Sequence, residues 1–132
     1  MKKLVVCSFA VFSILFGMVS CTIEDDNPVT CVELQQNLED LRVSIKDFAA
    51  TSVCDAEFEC RYIAFGEKPC GGPWEYLIYT TSIDTEQLEL LVTEFNAQEA
   101  NYNETCGAVS DCAITPEPTG FTCEDNQCVA IF

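Results

Sequence analysis

Residues 60–81 read CRYIAFGEKPCGGPWEYLIYTT, two short runs rich in aromatic and branched residues on either side of a segment rich in glycine and proline. Alternate residues of its first part fall on opposite faces of a strand, with Cys60, Tyr62 and Ala64 on one side and Arg61, Ile63 and Phe65 on the other. Gly66–Pro73 is rich in glycine and proline and predicts a loop, and Trp74–Thr81 is a second run of aromatic and β-branched residues. We therefore predict an antiparallel hairpin. We also expect Cys60 and Cys70 to be bonded within it.

The segment before the hairpin predicts an amphipathic helix over Val32–Ala50. Its apolar residues recur every three or four positions, at Leu34, Leu38, Leu41, Ile45 and Phe48. Thr30 is a suitable N-cap, and Glu33 three residues later completes a capping box.

The segment after the hairpin predicts a second helix. Asp84 is a favourable N-cap with Gln87 at the reciprocal position. The apolar face thins at Gln98 and Glu99, so we expect the helix to fray near residues 101–104.

The C-terminal part predicts a second, smaller hairpin. Phe121–Cys123 and Cys128–Ile131 flank the turn residues Glu124–Gln127. The order helix, strand, strand, helix, hairpin predicts an α+β fold: a small disulfide-stapled domain with two helices against an antiparallel sheet.

The first twenty residues predict an export signal. A basic start at Lys2 and Lys3 precedes an apolar run over Leu4–Phe16, and small residues lead into Cys21. The segment Gly17-Met18-Val19-Ser20-Cys21 resembles the lipobox of bacterial lipoprotein precursors. The resemblance implies cleavage before Cys21 and a diacylglycerol, with fatty acids such as palmitate, on its thiol. The alternative is an uncleaved membrane anchor, for which the 17 residues from Leu4 to Ser20 are at the short limit.

Residues 21–30 predict a flexible acidic tether. Glu24, Asp25 and Asp26 close to the lipidated cysteine resemble the export signal of Bacteroidetes-type surface lipoproteins. That resemblance implies a lipid anchor in the bacterial outer membrane, with the protein facing outward. The alternative is a tether that is acidic only because it is solvated. The expected organisation is a signal peptide over 1–20, the lipidated Cys21 and tether over 21–30, and one domain over 31–132.

Eight cysteines in the exported domain predict a disulfide framework of four bridges. Their pairing stays open, because eight cysteines allow 105 connectivities. We expect no metal site, because the chain lacks histidine and these cysteines form no C-x-x-C pair. The eight are Cys31, Cys54, Cys60, Cys70, Cys106, Cys112, Cys123 and Cys128.

The predicted mature chain is strongly acidic. Removal of Lys2 and Lys3 leaves four basic residues against 22 carboxylates, a net charge of −18. We expect no nucleic-acid partner, because binding phosphates needs cations that displace counterions. Such a surface favours cations or basic proteins, although simple solubility also accounts for it.

The sequence predicts neither catalysis nor a cofactor. Without histidine a serine nucleophile lacks its usual base, and every cysteine of the mature domain has a role in a bridge. Carboxylate pairs are too numerous for any one pair to be informative.

Two kinds of non-catalytic binding remain. The loop Cys112–Cys123, stiffened by prolines and carrying Ile114 and Thr115, suits an inhibitor of a secreted hydrolase such as a protease or a lysozyme. A connector stiffened by prolines is its structural alternative. The aromatics Trp74, Tyr76 and Tyr79 suit a surface module for a glycan, a peptide or a partner lipoprotein, and Trp74 has the best position for exposure.

Overall fold

The computed structural model describes residues 29–132. The predicted signal peptide over 1–20, the predicted lipidation site Cys21 and the tether up to residue 28 lie outside the described residues. Within residues 29–132, no helix combines the length and the apolar character needed to cross a bilayer.

Helix α1, Cys31–Ala50, begins at the predicted capping box. The Thr30 hydroxyl accepts from the Glu33 N–H at 3.3 Å, and the Glu33 carboxylate accepts from the Thr30 N–H at 2.8 Å. The hydrogen bond from the Thr30 backbone, and then that from its side chain, holds the pKa of Glu33 below its ordinary value. Leu38 and Ile45 of the predicted stripe are buried, Leu41 and Phe48 are partly buried against the same core, and Ala49, outside the predicted stripe, is also buried.

Strands β1, Cys60–Phe65, and β2, Glu75–Thr80, form the predicted antiparallel hairpin. Cys60 lies opposite Thr80 and Phe65 lies opposite Glu75. The face bearing Phe65, Leu77 and Tyr79 is buried against the helices, so the alternation read from the sequence assigned the faces correctly.

Helix α2, Thr85–Cys106, begins where predicted, with the Asp84 carboxylate accepting from the Gln87 N–H at 3.0 Å. The expected fraying near residues 101–104 is wrong, because the helix continues to Cys106. Two tertiary contacts stabilise its last turn. Cys106 is bonded to Cys31, and the Asn103 amide donates to the Glu67 carbonyl at 2.7 Å.

Strands β3, Gly120–Glu124, and β4, Gln127–Ile131, form the second predicted hairpin as a separate two-stranded sheet. Asp125 and Asn126 make its turn with φ of 50° and 63°, a conformation that Asp and Asn tolerate best among non-glycine residues. This hairpin packs on the face of β1 opposite the helices, where the ring of Phe121 lies 6.0 Å from that of Tyr62.

The core lies between the two helices and the first hairpin. The rings of Phe65 and Phe95 are 4.8 Å apart, and Leu88 and Val92 are fully buried beside them. Burial of each large apolar side chain contributes about 1.5–3 kcal/mol. The architecture confirms the predicted α+β, disulfide-stapled domain.

Four disulfides join the described cysteines: Cys31–Cys106, Cys54–Cys123, Cys60–Cys128 and Cys70–Cys112. The expected bond between Cys60 and Cys70 is therefore wrong. Cys60 begins β1, and the loop bearing Cys70 leaves from the other end of that strand. Six strand residues span about 20 Å, whereas a disulfide needs Cα atoms within about 7 Å.

Candidate functional site

Two loops meet at one end of the domain, which we call the loop end. They are Gly66–Pro73, between β1 and β2, and Gly107–Pro118, between α2 and β3. The disulfide Cys31–Cys106 places the start of α1 at the same end. Thr30, the N-cap of α1, therefore lies at the loop end.

The first loop is fastened to α2. Asn96 accepts from the Gly66 N–H at 2.8 Å and donates to the Ala64 carbonyl at 3.1 Å. Gly66 has φ of +80°, and a Cβ there would lie 2.7 Å from Cδ1 of Trp74. Only glycine fits this close approach.

A buried ion pair lies beneath the first loop. The Glu99 side chain accepts from Arg42 Nη2 at 2.7 Å through Oε1 and from the Glu67 N–H at 2.6 Å through Oε2. The Arg42 guanidinium also lies 5.4 Å from the ring centroid of Phe65 and 4.9 Å from that of Phe95. Glu99 thus connects a core cation to the backbone of the loop.

Lys68, a residue of the first loop, contacts both the second loop and Trp74 at the loop end. It is only 7% exposed. Its Nζ donates to the Ala113 carbonyl and to the Thr115 hydroxyl, the latter at 3.1 Å, and lies 5.4 Å from the Trp74 ring centroid. No carboxylate pairs with it within residues 29–132. This ammonium is therefore committed to holding the second loop.

The second loop has no regular secondary structure from Ala108 to Thr119, yet it is anchored along its length. The disulfide Cys70–Cys112 joins it to the first loop. The Thr115 hydroxyl donates to the Pro73 carbonyl at 2.8 Å, and the Glu117 carboxylate accepts from the Tyr76 hydroxyl at 3.1 Å.

Ile114 is the most exposed large apolar side chain in the described part of the chain, at 95%. Val109 in the same loop is 88% exposed. A cleft of about 340 Å³ lies between Gly71–Pro73 and Ala113–Glu117, directly beside Ile114. An isoleucine held in solvent on an anchored loop is a feature that burial against a partner would stabilise.

The structure brings the three predicted site residues Trp74, Ile114 and Thr115 to the loop end, but in different environments. Ile114 points into solvent, whereas the Thr115 hydroxyl points inward and fixes the loop. Trp74 is 38% exposed. Lys68 covers one face of its ring. Thr115 is thus a positioning residue, while Ile114 is free to make contacts.

The other two aromatics do not extend Trp74 into an exposed row. Tyr79 is buried on the helix-facing side, where burial, and then its hydrogen bond to Glu89 at 2.9 Å, raises the pKa of its hydroxyl to about 12. Tyr76 faces the second loop, and partial burial, followed by its hydrogen bond to Glu117, raises its pKa. These tyrosines serve the packing of the domain.

No pattern around Lys68 in the sequence predicts its structural role. A lysine between glutamate and proline in a Gly- and Pro-rich loop reads as a solvated charge. Its burial depends on two loops meeting that are about 45 residues apart in the chain. The lack of any basic residue after Lys68 is the one local signal, and it does not specify a position.

The sulfur atoms of Cys54, Cys60 and Cys128 lie within 4.8 Å of one another. They belong to the bridges Cys54–Cys123 and Cys60–Cys128, so none is a thiolate that could bind a metal.

Comparison with protein-family models, with curated proteins and with solved structures found no match to this chain.

Proposed function

We propose that this protein is a bacterial lipoprotein, anchored by lipid at Cys21 in the outer membrane and facing outward, that acts as a non-catalytic binding protein. The lipobox-like segment and the acidic tether support the anchor. Ile114, 95% exposed on an anchored loop, is the observation that supports binding.

The loop is organised for recognition because its conformation is set before a partner arrives. Cys112, Ala113, Thr115 and Glu117 each have a fixed contact to the first loop or to β2. An ordered loop loses less conformational entropy on binding than a flexible one. The energy gained by burying Ile114 is then available for affinity.

A protein partner fits this surface better than a glycan. Sugars stack on open aromatic faces, and one face of Trp74 is covered by Lys68 while Tyr79 is buried. An aliphatic side chain such as Ile114 is suited to an apolar pocket in a protein.

An inhibitor of a secreted hydrolase is the more specific form of this proposal. It is favoured by the way in which both neighbours of Ile114 are held in place. The contacts that fix them do not involve the Ile114 side chain, so that side chain is free to enter a cleft.

The test is capture of surface proteins from the producing cells by the detergent-solubilised full-length protein. Ile114→Asp should abolish capture with an unchanged melting temperature. Leu90→Asp alters another exposed aliphatic residue, 65% exposed on α2, and should leave capture intact. Equal capture by wild type and Ile114→Asp, at both low and high salt, would contradict the assignment to this loop.

The anchor is tested separately by the intact mass of the membrane-extracted protein. We expect a mature N-terminus at Cys21 with added diacylglycerol. Cys21→Ala should leave the protein unprocessed or release it from the membrane. An unmodified Cys21, or cleavage elsewhere, would refute the anchor without bearing on the loop.

A further inference from the structure

A single buried ammonium bridges the two sides of Ile114. Lys68 Nζ donates to the carbonyl of Ala113, the preceding residue, and to the hydroxyl of Thr115, the following one. The residues on both sides of Ile114, the two flanks, are therefore bonded to the same ammonium beneath the loop, and Ile114 projects between them.

Each flank also has a second attachment of its own. The disulfide Cys70–Cys112 holds the N-terminal side, and the bond from the Thr115 hydroxyl to the Pro73 carbonyl holds the C-terminal side. If the peptide bond between Ile114 and Thr115 were cut, both new ends would stay in place. The fold would thus keep the two cleavage products next to each other.

The segment also has the properties of a bound peptide substrate. Pro116 restricts Thr115 to extended conformations. No backbone–backbone hydrogen bond joins Ile114 to another residue of the range 29–132, so its N–H and C=O are available to a partner. Extended peptides are recognised through such backbone groups and through pockets for individual side chains.

We propose that the loop inhibits a serine endopeptidase whose specificity pocket accepts a branched aliphatic side chain, and that Ile114 occupies this pocket. The inference rests on the proposed binding function and names the partner class for the same loop. The bond between Ile114 and Thr115 is the one presented for cleavage.

The chemistry explains why such a complex persists. The serine oxygen of the endopeptidase attacks the Ile114 carbonyl carbon, an acyl bond forms, and the peptide bond to Thr115 breaks. The serine proton passes through the enzyme's base to the Thr115 nitrogen, which becomes an amine. Because Lys68 and Pro73 keep this amine beside the acyl carbon, it attacks in the reverse direction and restores the peptide bond before water enters. The effective molarity of a held nucleophile greatly exceeds that of a free one.

The first experiment measures inhibition of neutrophil elastase, which cleaves after small aliphatic residues, and of trypsin, which cleaves after Lys and Arg. The full-length protein should inhibit elastase and not trypsin. Ile114→Asp should raise the inhibition constant for elastase about 100-fold. Ile114→Lys should transfer inhibition from elastase to trypsin. Leu90→Asp is the matched control and should behave as wild type.

The second experiment separates inhibition from simple binding. Lys68→Met and Thr115→Val loosen the flanks without altering Ile114, and should raise the rate of hydrolysis between Ile114 and Thr115 by at least tenfold, measured by mass spectrometry. Thr115→Val is included because Lys68→Met removes a buried group and can lower stability. Melting temperatures identify any variant that fails to fold.

The outcomes are distinct from those of the proposed function. No inhibition of elastase by wild type, or no transfer to trypsin by Ile114→Lys in a folded variant, would overturn the endopeptidase inference. If Ile114→Asp still lost capture of a surface partner in that case, the binding function would stand and only the partner class would be wrong. If wild type does not inhibit elastase and Ile114→Asp captures a surface partner as well as wild type does, both the endopeptidase inference and the binding function are refuted.

Discussion

Both ends of the domain are held by disulfides and polar contacts, but one end is closely packed and the other exposes apolar side chains. At the end that we call the turn end, formed by Thr51–Glu59, Thr81–Asp84 and Glu124–Gln127, two adjacent bridges join the second hairpin to β1 and to the connection between α1 and β1. The sulfurs of Cys54 and Cys60 lie 3.8 Å apart there. At the loop end, the bridge Cys70–Cys112 and the Lys68 ammonium hold apolar side chains out in solvent.

Stabilisation of the fold accounts for the cross-links at the turn end but not for the exposed apolar side chains at the loop end. Cys54 is only 5% exposed, and cross-linking at the turn end stabilises packing. At the loop end, comparable bonds keep Ile114 and Val109 exposed, and exposure of apolar surface has no stabilising effect by itself. The anchoring of the loop end is consistent with the binding function that we propose for it.

The largest expected effect comes from removing one bridge at each end. Cys54→Ser with Cys123→Ser, and separately Cys70→Ser with Cys112→Ser, should each lower the free energy of unfolding by about 2–4 kcal/mol. Their sequence separations of 69 and 42 residues make the two losses similar. Only the second pair should also weaken partner capture. Equal loss of capture at both ends, measured in variants that remain folded, would remove the distinction between them.

The next largest effect is expected at the buried ion pair beneath the loop end. Glu99→Ala removes the acceptor of the Glu67 N–H and the shortest carboxylate contact of Arg42, which keeps Glu75 at 3.5 Å, and should lower the free energy of unfolding by about 2 kcal/mol. Glu94→Ala, at an exposed position of the same helix, should cost less than about 0.5 kcal/mol. Denaturant unfolding of both variants checks this, and similar midpoints would show that Glu99 does not support the loop.

A smaller effect is expected from alkaline titration of the core near the turn end, where Tyr79 lies opposite Arg61. The pKa of Tyr79 is raised from its ordinary value near 10 to about 12 in the folded state. Its contribution to stability is full below pH 10 and is lost as the pH rises towards 12.

The Tyr79→Phe variant provides the control for that titration. It should lack the alkaline loss of stability that Tyr79 causes, while losing about 1 kcal/mol at neutral pH with the bond to Glu89. Denaturant midpoints from pH 7 to 12 measure both effects. Identical alkaline profiles for wild type and Tyr79→Phe would show that Tyr79 is not the titrating group.

Local signals predicted the elements, because their determinants lie within a few residues. Thr30 with Glu33 and Asp84 with Gln87 marked both helix starts, and the alternation from Cys60 to Phe65 assigned the faces of β1. The end of α2 and the cysteine pairing could not be predicted in this way. Both depend on contacts between segments far apart in the chain, such as Cys31 with Cys106.

The candidate site was predicted in part. Proline and cysteine spacing indicated the loop that bears Ile114, but its anchoring by a buried lysine requires the tertiary structure. From the sequence, the loop and Trp74 were two alternative binding surfaces. In the fold they are adjacent, because Lys68 contacts both the loop and the Trp74 ring.

The backbone order parameter of the Ile114 amide tests most directly whether this loop, which lacks regular secondary structure, is held rigid at the loop end. The wild-type value should be about 0.85, as in regular structure, and should fall below about 0.6 in folded Thr115→Val or Lys68→Met. A wild-type value below about 0.6 would contradict the account, because the loop would then be a mobile connector.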